Sequence, residues 1–346
     1  MQEYTTTIGL DLGDRYSHFC VIDPKGDLKE QGRVRTTREG MDRFFSTRRA
    51  SVIVIEVGAH SGWVSRFLKG LGHEVIVANS RKLRMIYGSD TKRDKTDAEM
   101  LARVGRLDPK LLCPIRHRDE RCQMDLGVIR SRDILVRTRT KLINHVRGTA
   151  KAFGYGLAKC STESFCRKAW VYLPEELRSW LGPILETIGE VTDRIRGYDQ
   201  KIDQMTRQRY GETEQLMQVS GVGQLTALAY VLTLEDPDRF ARSRSVGAYL
   251  GLRPRVEQSG DTDRQLRITK SGDNLLRRLL VGSAHYVLGP FGPDCDLRRW
   301  GLRIAQRGGK NAKKRAVVAV ARKLSVLLHR LWVSGEFYQP FGRHAV

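Results

Sequence analysis

The sequence predicts an α/β domain with a mixed sheet at the N-terminus, then a long helical arm, then a mostly α C-terminal domain. Three observations carry this reading. Strand-like runs separated by tight turns open the chain and then alternate with helical patterns. A later stretch repeats apolar residues at gaps of three and four, and the last third combines helical periodicity with glycine-bearing turns. At 346 residues the chain exceeds one typical core, so several domains are the natural expectation. The boundaries read from the sequence are 1–109, 110–212 and 213–346.

In the first domain, Thr6–Leu12, Ser17–Ile22 and Leu28–Val34 are β-rich runs. The last two are joined by Asp23-Pro24-Lys25-Gly26-Asp27, a strong turn signal. A helix is expected near Thr37, because Glu39, Met41, Phe44 and Phe45 follow at helical spacing. Val52–Val57 reads as a buried strand, Ser61–Leu71 as a helix, Glu74–Ala78 as a short strand and Thr96–Arg106 as a further helix. The arm begins with a basic helical stretch, residues 110–151, holding eleven Lys/Arg against four Asp/Glu. Its second helix carries Leu181, Ile184, Leu185, Ile188, Val191, Ile195, Tyr198, Ile202 and Met205. That heptad-like seam fits two helices packed within one chain as well as an intermolecular coiled coil. In the last domain, Val219-Ser220-Gly221-Val222-Gly223 precedes a helical run from Gln224 to Leu234, and Arg253–Gly260 reads as a loop.

The net charge of +22 and pI near 10.1 favour a polyanionic partner, with nucleic acid the usual one. No segment reaches the apolar length of a membrane span, and Met1 runs directly into strand-like sequence, so a cytoplasmic location is expected. The six cysteines show neither CxxC pairing nor zinc spacing, which suits reduced packing thiols.

Asp11 closes the first apolar strand and Glu56 closes Val52–Ile55. A carboxylate ending a buried strand costs desolvation, and a metal ion is its strongest compensator. Asp94 and Asp97, three apart, share one face of a helix. Taken singly, each acid has an ordinary alternative, because Asp also closes turns and caps helices. Together they suit a two-Mg²⁺ site, with Mn²⁺ a substitute. Gly221 and Gly223 resemble a helix–hairpin–helix turn, whose backbone amides approach a phosphate. Lys270, Arg277 and Arg278 suit a second phosphate grip, as do Arg253, Arg255 and the run Lys310, Lys313, Lys314, Arg315. Tyr16, His18, Trp63, Tyr249 and Trp300 are aromatic residues able to stack on unpaired bases, with core packing the default for each.

Strand–Asp11, strand–Glu56 and a helical Asp94-x-x-Asp97, in that order, resemble the RuvC-like branch of the RNase H fold. Ile8–Gly13, Ile55–Gly62, Lys92–Ala98, Val219–Ala227, Phe240–Gly260 and Ile268–Leu280 together resemble the DEDD transposases of a bacterial insertion-sequence family. These are serine-containing recombinases guided by a bridge RNA. The resemblance implies that Asp11, Glu56, Asp94 and Asp97 bind metal and that Ser259 is the nucleophile joined to DNA. From the residues alone, Ser259-Gly260 is an ordinary turn pair. The resemblance further implies donor and target duplex DNA and a structured guide RNA as partners. A homodimer pairing into a tetramer on the bacterial nucleoid is also expected. Two alternatives stay open at this stage: a metal-dependent junction nuclease with a structural Ser259, and a non-catalytic nucleic-acid-binding protein.

Overall fold

The computed structural model describes residues 6–80, 94–259 and 262–342, leaving aside the side chains of Asp94, Ser259 and Thr262. Lys92 and Gly260, which belong to the motif stretches above, lie outside the described residues. The chain divides into two compact units, Met1–Asp119 and Glu120–Val346.

In the first unit, strands β1 (Thr7–Asp11), β2 (Tyr16–Ile22) and β3 (Leu28–Arg35) form an antiparallel meander. The Asp23 carboxylate closes its second turn by accepting from the amides of Lys25 and Asp27, both at 2.9 Å. β4 (Val52–Glu56) pairs parallel with β1, and β5 (Glu74–Ala78) pairs parallel with β4. The sheet order is β3-β2-β1-β4-β5, the mixed sheet the sequence predicts. Helices α1 (Arg38–Phe45) and α2 (Ser61–Gly70) follow β3 and β4. Thr37 caps α1, its hydroxyl accepting from the Gly40 amide at 3.1 Å.

Side chains alternate across a strand, and the core divides accordingly. Ile8, Leu10, Phe19, Val21, Ile53, Ile55, Val75 and Val77 form one cluster with Met41 and Phe45 of α1 and Val64 and Leu68 of α2. The opposite face presents smaller groups. There Cys20 and Ile22 pack against Ala98 and Ala102 of α3 (Asp94–Leu107), while Val54 and Ala78 meet Leu101 and Val104. Gly9 also lies on this face. A Cβ on Gly9 would collide with the Ala98 carbonyl and the Ala102 amide, so helix and strand are in backbone contact.

The second unit opens with α4 (Glu120–Ala152), α5 (Phe165–Tyr172) and α6 (Glu175–Arg209). α4 and α6 run antiparallel, as their pairings show. The Asp125 carboxylate near the start of α4 meets Arg209 (2.9 Å) and the Tyr210 hydroxyl (2.7 Å) at the end of α6. Arg132 pairs with Asp199, and Arg139 donates to Thr192 at 3.3 Å. The far end of the pair has its own core of Ile143, Val146, Phe165, Leu177, Leu181 and Leu185. At the near end, Leu126, Ile129, Ile202 and Met205 join the large core of the last third.

That core surrounds α8 (Gln224–Leu234), buried at every position from Thr226 to Leu234. Around it lie α7 (Glu212–Met217), α9 (Arg244–Tyr249), α10 (Asn274–Leu288), α11 (Asp296–Gln306) and α12 (Ala312–Ser334). Residues 254–259, read from the sequence as part of a loop, instead form β6 (Pro254–Ser259), paired antiparallel with β7 (Thr262–Ile268). Arg255 to Gln258 are all exposed, so this strand lacks the apolar alternation that makes a strand legible in sequence. None of the six cysteines forms a disulfide, and Cys20, Cys122 and Cys295 are buried. Among the described residues, no helix is long and apolar enough to cross a membrane.

Two expectations follow. Gly9→Ala forces α3 away from β1 and lowers stability by about 1–3 kcal/mol, seen as a lower denaturant midpoint; an unchanged midpoint contradicts the close approach. In the second unit, buried His329 links α12 to the segment before α9. Its Nε2 lies 2.9 Å from the Pro237 carbonyl and its Nδ1 3.0 Å from the Ser243 hydroxyl. Burial holds its pKa below the ordinary 6.5. As pH falls below 6.5, the unfolded chain gains a proton that the folded chain refuses, so stability declines. His329→Gln should flatten that acid limb in melting curves recorded between about pH 7 and 5.

Candidate active site

β1 is buried from Thr7 to Leu10 and then emerges at half-buried Asp11; β4 has buried Ile53–Ile55 and then half-buried Glu56. The parallel register pairs Leu10 with Ile55, so the two acids continue the ladder as neighbours at the same sheet edge. Alternation puts Asp11 on the face of Gly9 and Glu56 on the face of Val54, which is the α3 face for both.

The helix supplies the other two acids. Ala98 lies against Gly9, and Arg106, two turns on, donates to the Pro24 carbonyl beyond the opposite end of β1. α3 therefore runs antiparallel to β1, its N-terminus toward Asp11. Two strand residues span about 6.6 Å, close to the ~6 Å of four helical residues. The α3 residue level with Asp11 is thus about four before Ala98, in the turn that holds Asp94 and half-buried Asp97. The Asp94 side chain is outside the described residues. Among the described residues no three His, Cys, Asp or Glu side chains form a metal-binding group.

His18 was assigned only a possible stacking role from its sequence. The β1–β2 register places it directly opposite Asp11, and Cys20 opposite Gly9, so His18 shares the acids' face. Its proximity to Asp11 follows from strand pairing, and no spacing in the sequence reports it. Asp14, just past the end of β1, is exposed and meets His60 Nε2 at 3.4 Å. His60 Nδ1 accepts from the Trp63 indole at 3.1 Å, which orients the ring.

In the second unit, Ser259 is the last residue of β6 and pairs with Thr262. Arg253, Arg255 and Lys270 are exposed around this hairpin. Arg277 is not an accessible phosphate grip. It is 9% exposed and donates to the Leu250 (3.0 Å) and Ser271 (2.8 Å) carbonyls, holding the base of the hairpin against α10. Arg278 is bidentate to Asp133 at 2.7 and 3.2 Å. Arg277 thus serves the fold, while Arg278 is held by an ion pair at the surface, a distinction composition does not reveal.

The Gly221–Gly223 turn leads into α8 and, with Ser220, Arg278, Gly282 and Tyr286, lines an open cleft. Gly221 has φ +84°, and a Cβ there would lie 3.0 Å from the Ser283 carbonyl. A Cβ on Gly223 would meet nothing within 4 Å, so its backbone faces open space. Lys310, Lys313, Lys314 and Arg315 are all exposed at the start of α12. Three of them occupy its first turns, where cations oppose the helix dipole. That placement is unfavourable unless an anion joins them.

Comparison with known proteins bears on both units. The DEDD transposase model of the IS110 type matches residues 8–153, and the model "Transposase IS116/IS110/IS902 family" matches residues 213–294. A putative transposase, y4pF/y4sB, of Sinorhizobium fredii is 29% identical over 89% of this chain and 79% of its own length. A probable family 20 transposase of Pseudomonas aeruginosa is 26% identical, over 96% of this chain and 98% of its own. The transposase for insertion sequence element IS1111A of Coxiella burnetii is 25% identical, over 96% and 91%. The chain is an insertion-sequence transposase of the IS110/IS116/IS902 family, with a DEDD transposase domain in its N-terminal part.

Proposed function

We propose that the protein cleaves and exchanges DNA strands through a covalent serine intermediate, using divalent metal held by Asp11, Glu56, Asp94 and Asp97. The observation that carries this is the shared face of Asp11 and Glu56 at one sheet edge, toward which the N-terminal turn of α3 is directed. The donor set fits a hard cation, being all oxygen, with two acids at half-buried strand ends. When bound, Mg²⁺ (or Mn²⁺) neutralises phosphate charge and polarises the phosphorus for attack.

The protein's own residues do the rest. The positive end of the α3 dipole lies toward the acids and offsets their mutual repulsion. Ser259 attacks through its hydroxyl oxygen. An Oγ–P bond forms, the bond from phosphorus to the 3′-oxygen breaks, and the serine proton passes to the departing 3′-oxygen through solvent. The freed 3′-hydroxyl of one strand then attacks the phosphoserine of another and returns the serine. Exchange requires paired active sites, so the working assembly is a homodimer that pairs into a tetramer, with α4 and α6 as the coiled-coil assembly element. Base pairing by a structured bridge RNA selects donor and target duplexes, consistent with a basic surface made of phosphate-type contacts. Those contacts are Gly221 and Gly223 at the helix–hairpin–helix turn, Arg253, Arg255, Lys270, and the run Lys310, Lys313, Lys314 and Arg315.

Trapping the protein on DNA tests the chemistry. The expected result is a DNA–peptide adduct at residue 259 and a free 3′-hydroxyl. Asp11→Asn or chelation should lower cleavage by at least about 100-fold. Ser259→Ala should retain DNA binding and form no adduct. Continued cleavage by Ser259→Ala would leave the hydrolytic junction nuclease as the better reading.

The two turn glycines are separable. Gly221→Ala must hold a side chain at positive φ, costing about 1–2 kcal/mol of stability. Gly223→Ala should melt like the parent yet bind DNA more weakly, because the new methyl enters the space reserved for a phosphate. Equal affinity of Gly223→Ala and the parent protein in a gel-shift titration would remove this turn from the interface.

A further inference from the structure

The row of residues that crosses the sheet at Asp11 does not end at His18. The β2–β3 register pairs His18 with Arg33, and one step further out it pairs Tyr16 with Arg35. Alternation places all of these on the α3 face. The half of this face nearest the helix is covered: Gln31 reaches Glu99 of α3 at 3.3 Å, and Cys20 packs under Ala98 and Ala102. Beyond the N-terminus of α3, no element among the described residues is seen to cover the face. Tyr16 is 38% exposed there, with the Arg33 guanidinium 4.7 Å from its ring centroid, and both Arg33 and Arg35 are exposed.

Other aromatics singled out in the sequence have gone into cores: Trp63 against the α1–α2 cluster, Tyr249 and Trp300 against the core around α8. Tyr16 has not. The cations of this region differ in a similar way. Lys29 pairs with Asp23 at 3.0 Å, Arg48 with Glu30 at 2.7 Å and Arg103 with Glu99 at 2.8 Å. Among the described residues, Arg33 and Arg35 make no such ion pair. Among the described residues, no ion pair neutralises these two guanidiniums and no core takes up the Tyr16 ring.

We propose that Tyr16, Arg33 and Arg35 form a platform for unpaired nucleotides beside the acids. It rests on the reading of Asp11 and Glu56 as the groups that handle the phosphodiester. Two strand spacings separate Arg33 from Asp11, about 10 Å, so the platform takes nucleotides neighbouring the one being cleaved. A base adds to the pairing of guanidinium and phenol ring, and Arg35 meets a backbone phosphate. Stacking of this kind accepts any base, because every base has a π-face. The ligand is therefore a single-stranded segment. Two sources share that chemistry: DNA opened at the cleavage site, or unpaired RNA.

The test uses the full chain carrying Asp11→Asn, titrated with short labelled single-stranded DNA, single-stranded RNA and duplex DNA of equal length. Adding Tyr16→Ala should weaken binding of one of the single strands about 5- to 100-fold, and the strand affected identifies the source. Duplex affinity should not change. Tyr16→Phe should keep the affinity, since the ring face and not the hydroxyl makes the contact. Arg35→Gln should reduce the slope of log affinity against log salt by about 0.7. The proposal is overturned if Tyr16→Ala leaves both single strands unaffected, or weakens duplex as much as single strands. Because binding is read in a protein without Asp11, the outcome does not depend on whether the acids prove catalytic.

Discussion

The N-terminal unit depends on one close approach, the backbone contact between Gly9 of β1 and the Ala98–Ala102 turn of α3. A helix normally stands off a sheet by the thickness of two layers of side chains. Here the strand contributes no side chain and the helix only methyl groups, so α3 sinks onto the sheet. Its depth and direction are then set. The first turn of α3 arrives at the edge where β1 and β4 emerge with Asp11 and Glu56. The same contact directs the positive end of a 14-residue helix toward the strand ends that carry Asp11 and Glu56. Packing and electrostatics therefore share a cause: a residue with no side chain, two positions before the acid.

The second unit shows how misleading a charge count is when it is not sorted by burial. Arg139 is buried between α4 and α6, Arg277 is buried beneath the hairpin, and Arg298 donates to the Val287 and Gly289 carbonyls at the end of α10. A guanidinium suits these tasks because its planar fork satisfies several acceptors at once. Other cations stand exposed, among them those around the β6–β7 hairpin and at the start of α12. There they weaken the fold slightly through mutual repulsion and an unfavourable helix dipole. That asymmetry separates structural arginines from those available to a polyanion.

Much of the α/β unit was legible in the sequence because its signals are strong and local. Short apolar runs ending in acids, a turn built on Asp23 and Gly26, and the Thr37 cap all follow from residues within a few positions of one another. Asp11 and Glu56 could be read because a carboxylate after three or four buried positions is costly and therefore conspicuous. His18 could not, since its relation to Asp11 exists only through cross-strand register. Gly9 was quoted as part of a motif, but its task depends on a helix almost ninety residues away. The β6–β7 hairpin was missed for another reason. With neither face of β6 buried, the period-two pattern has no physical cause, and sequence reading falls back on the turn chemistry of Ser-Gly.

That hairpin has a consequence for Ser259. An isolated two-stranded ribbon is marginally stable in water, so its order must come from its base. The base is firmly tied: the Lys270 amide donates to the Gly251 carbonyl at 3.1 Å and the Thr269 amide to the Arg253 carbonyl at 3.0 Å. Arg277 holds the Leu250 and Ser271 carbonyls on either side of it. Constraint therefore decreases along β6 from Pro254 toward Ser259, which sits at the end with the least support. Asp11 and Glu56 have the opposite setting, at the ends of strands anchored in the middle of a five-stranded sheet. A metal-binding set needs rigid spacing, because coordination penalises displaced ligands. Under the proposed mechanism, a nucleophile that must follow a phosphate through attack and return gains from a compliant support, and a ribbon clamped at one end would supply it.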